Sequence, residues 1–116
     1  MRILWVENHA VFVRVAGKQF LSAHDLTVVP SVAAAKAALL AAAFDVVLTD
    51  YDLDDGKGTE VVALVRHLDP RPRVAAVSAH EDGNAALLAA GADAACPKTR
   101  FAGIEAALNS ETTGWQ

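Results

Sequence analysis

The sequence is poor in cysteine, in basic residues and in long apolar runs, and each shortage excludes a class of protein. One cysteine in 116 residues cannot form an internal disulfide, and no Cys/His group has zinc spacing. Neither an oxidising compartment nor a structural metal is therefore indicated. Ten Lys and Arg against fourteen Asp and Glu give a formal net charge of −4. This balance argues against direct binding to nucleic acid, which needs a basic face.

The chain also lacks an apolar run long enough to enter a membrane. The first run, 3–6, ends at Glu7 and is too short for a signal-peptide core or a transmembrane helix. We therefore expect a cytoplasmic protein without membrane contact. The length and the 53% hydrophobic content fit one globular domain. We place that domain at 1–109 and a polar C-terminal tail at 110–116.

Short apolar runs alternate with helical patterns along the chain. The runs lie at 3–6, 26–29, 46–49, 74–77 and, more weakly, 93–97. The first, third and fourth are apolar at consecutive positions, as is typical of strands buried on both faces of a parallel sheet. Such strands need helices on both sides of the sheet.

Apolar residues at helical spacing predict a helix after each run. Ser31 is placed to cap the second helix and Gly91 to end the fourth. We predict an α/β fold, namely a flavodoxin-like, doubly wound, five-stranded parallel sheet of order 2-1-3-4-5 flanked by five helices. The core-facing residues of these helices are Phe12, Val15, Ala16 and Phe20; Val32, Ala35, Leu39 and Ala42; Val61, Leu64, Val65 and Leu68; an Ala/Leu-rich stretch at 84–90; and Phe101, Ile104 and Leu108.

Polar residues follow the predicted strands, where the carboxyl ends of parallel strands meet at one edge. They are Glu7 and Asn8 after the first strand, Asp50 after the third, Ser78 after the fourth and Lys98 after the fifth. A hard cation such as Mg²⁺ binds carboxylates, waters and phosphate oxygens. A carboxylate beside such a cation can attack phosphorus, while a hydroxyl and an amine stabilise the phosphoryl oxygens. This set predicts a phosphoryl acceptor.

Three further acids, Asp52, Asp54 and Asp55, follow Asp50 in the next loop. We expect them to gather with Glu7 and Asp50 into a local cation pocket at this edge of the sheet.

Four segments resemble the receiver domain of the bacterial response regulators of two-component signalling: ILWVENHAVFVR, FDVVLTDYDLDDGKGTEVV, AAVSAH and GADAACPK. The resemblance implies that a histidine kinase or a phosphotransfer protein phosphorylates Asp50, assisted by Ser78 and Lys98. It also implies Mg²⁺ held by Glu7, Asn8, Asp50 and the backbone carbonyl of Asp52. Such a domain is not an enzyme beyond its own phosphotransfer and dephosphorylation, and it signals by protein contact.

The spacing of Asp50, Ser78 and Lys98 resembles a branch of the family whose members often carry a helix-turn-helix domain. The implied partner is therefore either a downstream protein or an effector domain missing from this chain. The fourth and fifth predicted helices carry few polar residues and are candidate contacts for a partner or a homodimer.

Two positions depart from the family pattern. Asn8 stands where an acid normally contacts the metal, so we expect weakened Mg²⁺ binding. Ala95 stands where a Tyr or Phe usually turns inward on activation, and alanine has no ring to move. These departures leave open a pseudo-receiver that binds a partner without phosphorylation. A flavin or nucleotide domain is disfavoured because Glu7 occupies the place of a phosphate loop.

Overall fold

Residues 1–109, which the computed structural model describes, form a parallel sheet with helices on both faces. The order of the large sheet is β2-β1-β3-β6-β7. This is the predicted flavodoxin-like topology, renumbered because an unpredicted antiparallel hairpin, β4–β5, follows β3. The strands are β1 (Arg2–Val6), β2 (Asp25–Val29), β3 (Val46–Thr49), β4 (Asp52–Leu53), β5 (Gly56–Lys57), β6 (Arg73–Ala76) and β7 (Ala94–Ala95).

Five α-helices and one 3₁₀ helix connect the strands. Both predicted helix ends are confirmed: the Ser31 hydroxyl accepts a hydrogen bond from the Ala34 amide at 3.0 Å, and Gly91 ends the fourth helix with φ at 121°, a conformation that favours glycine. The helices are α1 (Ala10–Phe20), α2 (Val32–Ala41), α3 (Gly58–Val65), α4 (Glu81–Ala90), the 3₁₀ helix (Lys98–Gly103) and α5 (Ile104–Leu108).

The strands bury alternate residues in two apolar layers. Ile3 and Trp5 belong to the layer beneath α1 and α5, whereas Leu4 and Val6 belong to the layer beneath α2, α3 and α4. All four side chains are fully buried. For Ile3, Leu4 and Val6, full burial of the side chain contributes roughly 1.5–3 kcal/mol each. The consecutive apolar run at 3–6 thus reflects burial on both faces, as predicted.

Several boundaries differ from the sequence expectation. Helix α4 begins at Glu81, three residues early, because Glu81 and Asp82 suit the positive end of a helix dipole. The predicted inward position of Val15 is wrong, since this residue is 55% exposed and Val13 packs against the core in its place. Strand β7 contains only two residues, and α3 ends at Val65.

The last predicted helix is divided. Backbone angles at Arg100 (φ −128°, ψ 36°) interrupt the 3₁₀ helix before α5. Phe101, which follows the break, is buried and stacks on Trp5 with ring centroids 5.1 Å apart and planes 7° from parallel. The break therefore lies beside an aromatic contact between the segment after β7 and the centre of the sheet.

No helix within residues 1–109 is long and apolar enough to span a membrane. The predicted tail at 110–116 lies outside the described residues, so the domain boundary after 109 stays a prediction.

Candidate functional site

The carboxyl edge of the sheet brings the predicted residues together because backbone hydrogen bonds continue past the strands. The Asp50 amide donates to the Val6 carbonyl at 3.0 Å, and the Lys98 amide donates to the Ser78 carbonyl at 3.1 Å. Glu7, directly after Val6, therefore lies beside Asp50, and Lys98 lies beside Ser78.

Lys98 joins the two buried acids. Its Nζ lies 2.8 Å from Glu7 Oε1 and 3.0 Å from Asp50 Oδ2. The exposed fractions of the side chains are 15% for Lys98, 0% for Glu7 and 12% for Asp50. The same ammonium lies 5.3 Å from the centroid of the Phe12 ring, within cation–π range. Two carboxylates and one ammonium leave this cluster one negative charge in excess when all three are ionised.

Burial and charge shift the proton affinities of this cluster. Burial, followed by the charge of Asp50, raises the pKa of Glu7 although hydrogen bonds from Lys98 and the His9 amide oppose the rise. Burial alone would lower the pKa of Lys98, but hydrogen bonds and charges from Glu7 and Asp50 raise it above its ordinary value. Lys98 is therefore a cation at neutral pH and can face negative phosphoryl oxygens.

The backbone fits tightly around Asp50. Its Oδ1 accepts a hydrogen bond from the Tyr51 amide at 2.8 Å, so each carboxylate oxygen has one partner. A Cβ added at Gly58, the first residue of α3, would lie 1.9 Å from the Asp50 carbonyl oxygen. Only glycine permits this approach, and the start of α3 thereby fixes the segment that follows Asp50.

Ser78 lies at the same edge with its hydroxyl directed toward the start of α4. Its Oγ accepts from the His80 amide at 3.2 Å, and an added Cβ at Gly83 would lie 2.6 Å from that oxygen. No hydrogen bond joins the Ser78 hydroxyl to Asp50 in the part of the chain that the structure describes. A hydroxyl has one proton and two lone pairs, so Ser78 can accept from His80 and still donate to a phosphoryl oxygen.

Asn84 is a site residue that the sequence analysis missed. This buried side chain on α4 bonds both backbone groups of Ser78: its Oδ1 accepts from the Ser78 amide at 3.0 Å, and its Nδ2 donates to the Ser78 carbonyl at 3.2 Å. The available signal was a single polar residue inside an Ala/Leu-rich helix, six positions after Ser78.

The expected pocket of five acids is wrong, because the loop acids bind other partners. The Asp52 carboxylate forms an ion pair with Lys57, and Asp54 Oδ1 accepts from Asn8 Nδ2 at 3.0 Å. Asp55 caps α2 by accepting from the amides of Val32 and Ala33 at 2.7 and 3.0 Å. These hydrogen bonds lower the pKa of Asp55.

A divalent cation still fits the acids that do meet. No three His, Cys, Asp or Glu side chains between residues 1 and 109 form a metal-binding group. A magnesium site, however, needs only one or two carboxylates, with amide, carbonyl and water oxygens completing the shell. Glu7 and Asp50 supply the carboxylates. Asn8 uses its Nδ2 for Asp54, which leaves its Oδ1 as an oxygen donor.

Comparison with known proteins agrees with this geometry. A family model described as the response regulator receiver domain matches residues 3–106. No curated protein is similar enough in sequence to match.

Three solved structures illustrate the shared fold. The phosphorylated cyanobacterial phytochrome response regulator RcpA has 20% identity, a TM-score of 0.78 and 94% of each chain covered. A Burkholderia pseudomallei response regulator, solved with a phosphorylated aspartic acid, a calcium ion and citrate, has 19% identity and a TM-score of 0.81, with 97% of this chain and 68% of that one covered. The receiver domain of NarL from Mycobacterium tuberculosis has 23% identity and a TM-score of 0.74, with 99% and 97% covered.

Receiver domains interact with kinases and effector domains and are signalling domains, not enzymes in the usual sense. The match over 3–106 spans most of the chain, and the parallel sheet brings Asp50, Ser78 and Lys98 to one edge. The chain belongs to the response regulator receiver domain family of two-component signalling.

Proposed function

We propose that Asp50 is a phosphoacceptor that receives a phosphoryl group from a histidine kinase or a phosphotransfer protein. The observation that carries this proposal is the buried cluster in which Lys98 contacts both Asp50 and Glu7. The phosphorylated aspartic acid of the Burkholderia relative supports it. The phosphorylated domain then signals through contact with a downstream protein or an effector domain, in the cytoplasm as the sequence predicts.

The transfer needs one nucleophile and one leaving group. A carboxylate oxygen of Asp50 forms the new bond to phosphorus, and the bond from phosphorus to the donor histidine nitrogen breaks. The nitrogen keeps that electron pair and the product on Asp50 is an acyl phosphate. Lys98 stabilises the phosphoryl oxygens by its charge, and Ser78 stabilises them by donating its O–H.

Mg²⁺ is the proposed cofactor. Glu7 and Asp50 would hold it through carboxylates, Asn8 through its amide oxygen and Asp52 through its backbone carbonyl. When bound, the ion neutralises part of the charge on the phosphoryl oxygens.

Acetyl phosphate provides the direct test. Wild-type protein incubated with acetyl phosphate and Mg²⁺ should gain the mass of one phosphoryl group, read by intact mass spectrometry. Asp50→Asn should abolish the gain because the amide is not a comparable nucleophile. Asp45→Asn, at the amino end of β3, is the matched control and should label normally. An unlabelled wild type, under conditions that label an ordinary receiver, would remove the phosphoacceptor assignment.

The pseudo-receiver is the second candidate function. Two observations favour it: Asn8 bonds Asp54 and brings no charge to the cation, and Ala95 on β7 offers no aromatic ring. A magnesium titration followed by amide NMR separates the two candidates. Saturable binding in the millimolar range supports the phosphoacceptor, whereas unchanged spectra of the residues around Asp50 support the pseudo-receiver.

A further inference from the structure

Asn84 is the polar side chain of α4 that enters the protein interior, where it is 7% exposed. Its carboxamide oxygen accepts from the Ser78 amide at 3.0 Å, and its carboxamide nitrogen donates to the Ser78 carbonyl at 3.2 Å. A carboxamide is the side-chain group that can match an amide and a carbonyl of the same residue at once. This two-point contact fixes both the position and the orientation of the Ser78 backbone.

The same contact reaches a second site residue. The Ser78 carbonyl oxygen accepts both from Asn84 Nδ2 at 3.2 Å and from the Lys98 amide at 3.1 Å. One oxygen therefore ties the first turn of α4 to the segment that carries Lys98. Within residues 1–109 the carboxamide bonds Ser78 and forms no hydrogen bond with Asp50, so we expect its effect on the chemistry to pass through Ser78.

The surroundings of Ser78 leave its hydroxyl little other freedom. The Gly83 backbone packs on one side of Ser78 Oγ, with space for no side chain, and the His80 amide donates to the same oxygen. With the backbone held by Asn84, rotations about the Cα–Cβ and Cβ–Oγ bonds of Ser78 are the motions left to bring its O–H toward the phosphoryl group.

We propose that Asn84 is a positioning residue for phosphoryl transfer, acting by holding the backbone of Ser78 so that its hydroxyl meets the phosphoryl group on Asp50. This inference rests on the proposed function of Asp50. Fixing the backbone in advance removes part of the entropy loss in the transition state. Removal of the carboxamide should slow phosphorylation by about tenfold, because small displacements of a reacting group carry penalties of that order or more.

A double-mutant cycle distinguishes this role from general structural support. Phosphorylation rates with acetyl phosphate and Mg²⁺ are measured for wild type, Asn84→Ala, Ser78→Ala and the double variant. If Asn84 acts through Ser78, Asn84→Ala slows the reaction in the wild-type background and has no further effect in the Ser78→Ala background. A purely structural role predicts the same slowing in both backgrounds.

Two controls accompany the cycle. Leu88→Ala changes an exposed residue of the same helix and should leave the rate unchanged. Val65→Ala removes buried methyl groups from the apolar layer that also contains α4. This variant should lower the free energy of unfolding without changing the contacts of Ser78, and its phosphorylation rate should equal that of the wild type. If Asn84→Ala does not fold, Asn84→Asp replaces it in the cycle, since its carboxylate keeps an acceptor for the Ser78 amide and loses the donor to the carbonyl.

The outcomes separate the inference from the function on which it rests. A wild type that is never labelled overturns both. A labelled wild type with equal effects of Asn84→Ala in the two backgrounds, or with no effect in either, overturns the role of Asn84 alone. If Asn84→Ala slows phosphorylation only when the Ser78 hydroxyl is present, the positioning role of Asn84 is confirmed.

Discussion

At the scale of single residues, Asn8 is an uncharged member of the cation site proposed above. Its amide donates to Asp54, a contact that a carboxylate at the same position could not make. The carboxylates that remain at the site are Glu7 and Asp50, both already in contact with Lys98. The excess negative charge that the proposed site offers to a divalent cation is therefore small.

Asn8→Asp should raise the affinity for Mg²⁺ by about 10- to 100-fold, the scale on which changes around a metal site act. The added negative charge attracts the cation. Repulsion between the new carboxylate and Asp54 also breaks the contact that holds residue 8 to the β4–β5 hairpin. Isothermal titration calorimetry measures the change. Asn109→Asp adds the same charge after α5, far from the site, and should leave the affinity as it is. Equal gains in the two variants would show that net charge, not position 8, controls binding.

At the scale of elements, α2 begins with two caps that come from different parts of the chain. Ser31 is adjacent in sequence, whereas Asp55 reaches the same helix end from the β4–β5 hairpin. A carboxylate also suits the positive end of the helix dipole. Helix α2 and the hairpin are therefore joined at a point close to the candidate site.

Asp55→Asn should lower the free energy of unfolding at neutral pH and lose its effect in acid. The pKa of Asp55 lies below its ordinary value of 3.8, so its stabilising contribution is present above that pH and disappears as pH falls through the folded-state pKa. Urea denaturation at neutral and acidic pH measures the difference.

Two variants serve as controls for that experiment. Ser31→Ala should lose about 1 kcal/mol at every pH, since its cap carries no charge. Asp69→Asn, an exposed acid before β6, should change little. A difference between Asp55→Asn and wild type that persists unchanged in acid would contradict the charged cap.

The elements differ in how far sequence could predict them. The segment 3–6 of β1 is apolar at every position, so its composition alone indicates burial on both faces. Strands β4 and β5 have two residues each, too few to show any periodicity. The start of α4 was missed because Glu81 to Gly83 resemble a loop, and their helical state depends on the dipole and on packing against Ser78.

The candidate site was predictable where it depends on strand ends. Glu7, Asp50 and Lys98 meet because parallel strands end at one edge, a rule independent of side-chain detail. The roles of Asn84 and Asp55 were not predictable, since each bonds backbone groups of a segment whose position only the folded chain defines. The run of acids after Asp50 likewise predicted a shared pocket. In the folded chain these acids instead bind Lys57, the Asn8 side chain and the backbone amides at the start of α2.

At the scale of the whole molecule, the sheet separates two apolar layers, and a cluster of four aromatic rings lies within the layer that contains α1 and α5. Phe101 contacts Trp5, Phe12 and Phe20 in this layer. Because Phe101 lies three residues after Lys98, just past the break at Arg100, these aromatic contacts support the segment that presents the lysine.

Phe101→Ala should lower the free energy of unfolding by roughly 3–5 kcal/mol, a large part of the 5–15 kcal/mol that is typical of a domain. Urea denaturation followed by circular dichroism measures the loss. Phe44→Ala is the matched control: this ring is half-buried beside Arg2 and should lose less. A smaller loss for Phe101 than for Phe44 would contradict its place at the centre of the layer.

The β4–β5 hairpin has a consequence for how this chain can diverge. Its two adjacent acids serve different neighbours, Asp54 with Asn8 and Asp55 with the start of α2. An inserted residue between them would break one contact or the other. Among descendants of this sequence, positions 54 and 8 should change together because they are joined through side chains. Position 55 should keep its acid while 32 and 33 vary, because every residue except proline offers the same backbone amide. One short turn would then hold a coevolving position beside one that evolves independently of its partners.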